Sequence, residues 1–325
     1  MALTVRKYRP TTQFTLLFLA WIWVIVMSFT NSDNPSINVI EPFSKLILTF
    51  LPISSIGNLV VNLFVLLFEA TYLSYIFQKH NLIERNNWIP SILYLMMAGV
   101  SGSYVLSPSI ISNLFILLTL DRLFVSYDSS KGIDNIMLAG LYISIASLFY
   151  FPCAIFILGI WLALMIFRNL NWRYFAASII GLFIPIIYLA SWFIFNDQLT
   201  AETSEYYSVL KHAFMQMRHE QTESLIIFSS TLLLLIISVF HISMNQQGKL
   251  IKIRKKGSVI IALSIIAAIA VFSSYEPLRQ SMLTLILILS GALATQISEM
   301  KSNLFSSLFF WFLVIYYAII NLGVL

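Results

Sequence analysis

The chain is short of charge. Asp, Glu, Lys and Arg make up only 10% of its 325 residues, against about 25% in an average soluble domain. That is too little polar side chain to wet the surface of a water-soluble fold of this length. Cysteine is almost absent: the single Cys153 excludes an intrachain disulfide, and no Cys/His cluster has zinc-like spacing. Gly-rich phosphate loops, nucleotide fingerprints and nucleophile–base signatures are missing too. Two of the four histidines, His212 and His219, share a helical face, but seven residues separate them by about 10 Å along the axis, too far to bind one metal ion unaided. No metal and no other cofactor is expected.

What remains is apolar, 59% of the chain. A membrane-spanning helix takes about 20 apolar residues, so this length holds a dozen or so spans at most. The apolar runs predict eleven, at 12–30, 57–78, 88–107, 109–127, 135–151, 152–167, 174–195, 223–244, 257–273, 281–299 and 303–323. The expected fold class is therefore all-α, a polytopic helical membrane protein forming one membrane domain over 1–325, with lipid as its surroundings. The first run follows the basic MALTVRKYRP, is longer than a signal h-region and has no small-residue cleavage pattern after it, so it is expected to stay as an anchor. The stretch 135–167 would be about 50 Å long as one helix, too long for a single span, and is expected to turn at Phe151-Pro152 into two short ones.

Nineteen Lys and Arg against fourteen Asp and Glu give a formal charge of +5. In a membrane chain such an excess belongs to cytoplasmic loops, so no nucleic-acid partner is expected. With the N-terminus in the cytoplasm and the C-terminus outside, fifteen of the nineteen cations fall on the inner side. The four outer ones are Lys45, Lys211, Arg218 and Arg279. Two outer segments are long, and both read as interfacial helices: EPFSKLILTFLP within 31–56, and 196–222, where Tyr207, Leu210, Phe214 and Met217 share one face.

Glu69 lies mid-span, where an acid costs at least about 2.5–3.5 kcal/mol. Asn58, Asn62, Glu69 and Tyr72 fall on one narrow face of the second span. One reading is a protonated Glu hydrogen-bonded to neighbouring helices; the other is a role in proton coupling or in lining a substrate cavity. Asp33 stands in the outer loop after the first span, where a carboxylate can act as general base toward an acceptor hydroxyl, or can serve the NSDNP turn ahead of Pro35. Glu41 is the alternative acid, or the first-turn acid of the interfacial helix. Lys211 and Arg218 sit beside Tyr207 and Phe214 and so face the headgroup layer, where they hold a phosphate or snorkel to lipid. Arg279 has Glu276 nearby as a salt-bridge partner. On the inner side, Asp121-Arg122 reads as an interface pair and KLIKIRKK as a topogenic or anionic-lipid patch. Few polar residues occur in the last three spans, which suits a lipid- or partner-facing bundle.

The stretch 138–192, LAGLYISIASLFYFPCAIFILGIWLALMIFRNLNWRYFAASIIGLFIPIIYLASW, resembles the middle of C-type (GT-C) glycosyltransferases. It has a small-residue helix entering a Phe-Pro turn, a second short helix, a basic loop and a Pro-containing span. With the first span and its acidic outer loop, the likeness covers 1–195, followed by the interfacial helix at 196–222 and the C-terminal helices at 223–325. FYFP, FRNLNWR and FNDQL also resemble a multi-spanning membrane family of Bacteroidota. The resemblance implies a bacterial inner-membrane enzyme that takes a sugar from a polyprenyl-phosphate donor at the outer face. Asp33 corresponds by position to the family's catalytic acid, although the adjacent acid pair common in that family is reduced here to SDN. Two other readings stay open: a non-catalytic subunit or scaffold of an envelope glycan-synthesis or secretion complex, and a transporter or lipid flippase.

Overall fold

The structure, a computed structural model, describes residues 10–30, 55–101, 107–128, 132–168, 171–197, 222–244, 250–274, 278–300 and 303–321. Among these the regular structure is entirely helical, and eleven α-helices follow one another: α1 (Pro10–Thr30), α2 (Ser55–Lys79), α3 (Ile89–Val100), α4 (Pro108–Asp128), α5 (Gly132–Phe149), α6 (Phe156–Phe167), α7 (Trp172–Phe195), α8 (Thr222–Met244), α9 (Ile251–Phe272), α10 (Leu278–Glu299) and α11 (Asn303–Asn321). Seven of them, α2, α4, α5 and α7 to α10, are long and apolar enough to cross a membrane, whereas the apolar stretches of α1, α3, α6 and α11 are shorter.

The outside of the bundle is apolar, as a lipid solvent requires. On α2, for example, Val60, Phe64, Phe68 and Tyr75 are exposed while Leu66, Leu73, Ile76 and Phe77 are buried. Helix α10 is the hub. Every residue from 281 to 297 is buried, and α10 packs against α9, α3, α8, α4, α11 and α2. A run poor in charge therefore forms the centre of the bundle here and not a lipid-facing wall, because its small Ser, Gly, Ala and Thr positions let neighbours approach on all sides. Gly291 shows how closely: a Cβ there would land on the ring of Phe77 from α2.

The chain reverses at Phe151-Pro152. Tyr150 is extended and Phe151–Ile155 is a turn of 3-10 helix, with Pro152 in its first turn, where the missing N–H is not needed. Tyr150 and Ser274, which follows α9, share a hydroxyl–hydroxyl hydrogen bond of 2.5 Å. At the other end the ring of Phe167 stacks on Tyr127 of α4 at 4.4 Å, and Lys255 Nζ donates to the Phe167 carbonyl at 3.1 Å. Helices α5 and α6 therefore run in opposite directions. Arg168, left-handed with φ 62°, ends α6, and the Asn171 side chain caps α7 by accepting from the Arg173 N–H.

These contacts sort the helix ends into two groups. The Lys79, Asp128, Phe167 and Ile251 ends lie together, and the Ser274 end lies opposite. Of the ten described Lys and Arg residues, nine belong to the first group of ends or the loops joining them, and Arg279 alone belongs to the second. Helix α7 is peripheral, attached mainly through α5. The two helices cross at Gly140 and Gly181, where a Cβ would meet the backbone oxygens of Ser178 and Met137 respectively. Trp161 of α6 donates to Ser178 Oγ at 3.1 Å at the same crossing.

Candidate functional site

Among the described residues, two polar assemblies stand out in the apolar interior. The first is at Glu69, whose side chain is fully buried and faces α3 and α4 from the middle of α2. The Tyr94 hydroxyl of α3 donates to Glu69 Oε2 at 2.5 Å, and the Asn113 amide of α4 stands next to that hydroxyl. Each of the three side chains has no exposed surface. Glu69 Oε1 and Asn113 Oδ1 have no hydrogen-bond partner, and the Asn113 amide N–H is too poorly aligned on the Tyr94 hydroxyl to make a full one. Close by, Ser91 bridges the helices by donating to the Ala70 carbonyl and meeting Ser74 Oγ at 2.6 Å.

The polar face expected on the second span is present but graded. Asn62 and Glu69 are buried, whereas Asn58 and Tyr72 are half-buried. That order follows from packing, because Asn62 and Glu69 point between helices while the other two sit toward the lipid-facing edge.

The second assembly joins α2, α4 and α9 at the cation-rich end. Lys79 Nζ contacts both Asp121 oxygens, at 2.8 and 2.9 Å, and His80 Nε2 is 2.8 Å from Asp121 Oδ1. Lys256 reaches from α9 to Asp128 Oδ2 at 2.5 Å and to His80 Nδ1 at 3.4 Å, with its ammonium 5.8 Å from the centre of the Phe124 ring. Lys252 adds a more exposed contact to Asp128 Oδ1 at 3.5 Å. A carboxylate only accepts and an ammonium only donates, so His80 carries its proton on Nε2 toward Asp121 and offers the Nδ1 lone pair to Lys256.

The basic run expected as a topogenic or anionic-lipid patch also contributes to the interior. From Ile251 onward it is the first turns of α9, six residues earlier than the apolar pattern predicts, and Lys256 is an interior side chain. Asp121 likewise pairs with Lys79 and His80, while Arg122 turns to Asn135 Oδ1 at 3.4 Å.

Of the outer candidates, Arg279 is described: it lies half-buried in the first turn of α10 at the Ser274 end. Asp33, Glu41, Lys45, Lys211 and Arg218 lie outside the described residues, as do both interfacial segments. Among the described residues no group of three His, Cys, Asp or Glu side chains could hold a metal ion. Sequence reasoning singles out Glu69 but not its partners. Asn113 gives the same signal, a polar residue inside an apolar run, whereas Tyr94 reads as an ordinary aromatic. His80 and Asp128 sit at helix ends, where polar residues are unremarkable.

Compared with known proteins, the chain matches no family, no curated protein and no solved structure.

Proposed function

We propose that the chain is a GT-C-like membrane glycosyltransferase using a polyprenyl-phosphate-linked sugar at the outer face of a bacterial cytoplasmic membrane. In this reading all eleven helices cross, and the cation-rich end faces the cytoplasm by the positive-inside rule. The observation that carries it is the reversal at Phe151-Pro152: α5, a 3-10 turn, α6 returning, a short basic loop and then α7 with Pro185 inside it. That is the segment on which the likeness to C-type glycosyltransferases rests. The same arrangement supports an outward position for Arg279, on the side assigned to the Asp33 loop.

The chemistry asked of these residues is modest. Asp33, with Glu41 as the alternative, takes the proton of the acceptor hydroxyl, which must come within about 3 Å, as the hydroxyl oxygen bonds to the anomeric carbon of the sugar. Lys45, Lys211, Arg218 and Arg279 supply fixed positive charge to the phosphate that leaves as the sugar–oxygen bond breaks. Turnover of a polyprenyl-phosphate sugar by the purified protein in liposomes tests the reading.

A second reading, a non-catalytic subunit of an envelope glycan-synthesis or secretion complex, is favoured by α7. That helix leaves Ile180, Ile187, Tyr188 and Phe195 exposed and touches the rest of the bundle mainly through α5. Transport or lipid flipping rests on Glu69 alone.

A further inference from the structure

The Glu69 assembly uses none of the residues assigned to glycosyl transfer. It has an incomplete hydrogen-bond inventory in a place where incompleteness is expensive. Buried side-chain polar atoms are nearly all paired in folded proteins, with protein or with ordered water. Leaving one unpaired costs about 1–3 kcal/mol. Here Glu69 Oε1 and Asn113 Oδ1 lack a protein partner, and the Asn113 amide N–H has only a poorly aligned approach to the Tyr94 hydroxyl, all on side chains with no exposed surface. They lie either side of one hydroxyl: Tyr94 Oη donates to Glu69 Oε2 and neighbours the Asn113 amide.

We infer that the Glu69–Tyr94–Asn113 node is a binding site for one buried water molecule, which bridges Glu69 Oε1 and the Asn113 amide. The complementarity decides the class of ligand. A water accepts from Asn113 Nδ2–H and donates to Glu69 Oε1 in the same position, which is the usual arrangement of two to four bonds for an interior water. A metal ion would need about six oxygen ligands. This node offers one carboxylate, one amide oxygen and one phenol, and the backbone carbonyls around it are engaged in the helices α2, α3 and α4. The bound water makes Glu69 a hydrated carboxyl at mid-membrane with a partner for proton exchange, and not a dry pin between helices.

An experimental structure of the whole protein, at a resolution that shows ordered water, should have density within hydrogen-bonding distance of both Glu69 Oε1 and the Asn113 amide. A direct bond between those side chains, or no density there, overturns the site. Density that disappears when Na+ is replaced by choline identifies a cation and equally overturns it. Infrared difference spectroscopy gives a second readout, because Glu69→Gln identifies the Glu69 carboxyl band by its loss. Asn113→Leu removes the other anchor of the water and should shift that band. Asn113→Ser, smaller and still polar, leaves room for water and should keep the band where it is. An unmoved band in Asn113→Leu, or a band moved in Asn113→Ser as far as in a dry site, contradicts the proposal.

Discussion

Lys256 and Asp128 form an ion pair of 2.5 Å in which the two partners are unequally buried. The lysine side chain is 5% exposed and the aspartate 35%. Removing one partner of a buried pair costs about 3–5 kcal/mol, mainly because the survivor is left charged and uncompensated. The survivor differs between the two deletions. Asp128→Ala strands Lys256 in the interior, with only His80 Nδ1 and the Phe124 ring nearby. Lys256→Met leaves Asp128 with Lys252 and with access to water. Asp128→Ala should therefore lose most of that range and Lys256→Met clearly less, as read by thermal unfolding in detergent. Equal losses would contradict the assignment of burial.

A glycine series tests how α7 is attached. Gly140→Ala and Gly181→Ala each place a methyl group on the partner helix's backbone, and overpacking of that kind costs about 1–3 kcal/mol. Gly257→Ala meets only Ile242 Cγ2 at 3.6 Å and lies inside α9, where Ala is the better helix former by roughly 0.5–1 kcal/mol. Unfolding midpoints should fall for the first two variants and hold or rise for the third.

Orientation is open to chemistry. In a Cys153→Ser background, cysteines at Ser32 and Thr203 should react with an impermeant thiol reagent added to intact cells. Cysteines at Gln247 and at Glu84, which is exposed in the turn between α2 and α3, should not. Labelling at Gln247 and Glu84 would invert the assignment of the cation-rich end.

Glu69 holds Tyr94 through an accepting oxygen, and glutamine keeps one. Glu69→Gln should leave expression and folding close to wild type. Tyr94→Phe, which removes the donor to Glu69 Oε2, should cost about 1–3 kcal/mol. Glu69→Lys should fail to fold, since no acid faces the ammonium there. If Gln is as disruptive as Lys, hydrogen bonding is not what the residue contributes.

Much of the scaffold is legible because a membrane imposes few choices. Apolar runs near the span length mark the helices, and the Phe151-Pro152 break is visible as a run too long for one span and too polar-poor for a loop. Helix ends are less legible. Hydropathy starts α9 at 257, but Lys252 and Lys256 are helical because Asp128 receives them, and a partner 128 residues away leaves no local trace. The centrality of α10 is hidden for a related reason: in lipid, a core helix and a lipid-facing helix are equally apolar, so only packing distinguishes them. At the intramembrane site Glu69 announces itself by charge, whereas Tyr94 acquires its role from the neighbour it meets.

The most direct measurement of the proposed function is sugar transfer from a polyprenyl-phosphate donor by the purified protein in proteoliposomes, wild type beside Asp33→Asn. The account predicts that wild type releases polyprenyl phosphate as the sugar is transferred. Asp33→Asn, equally expressed and with the same unfolding midpoint, should lose turnover while still binding donor, and Arg279→Ala should weaken donor binding. No turnover by wild type with any such donor, or equal turnover by Asp33→Asn and Glu41→Gln, would contradict it and leave the non-catalytic subunit as the better account.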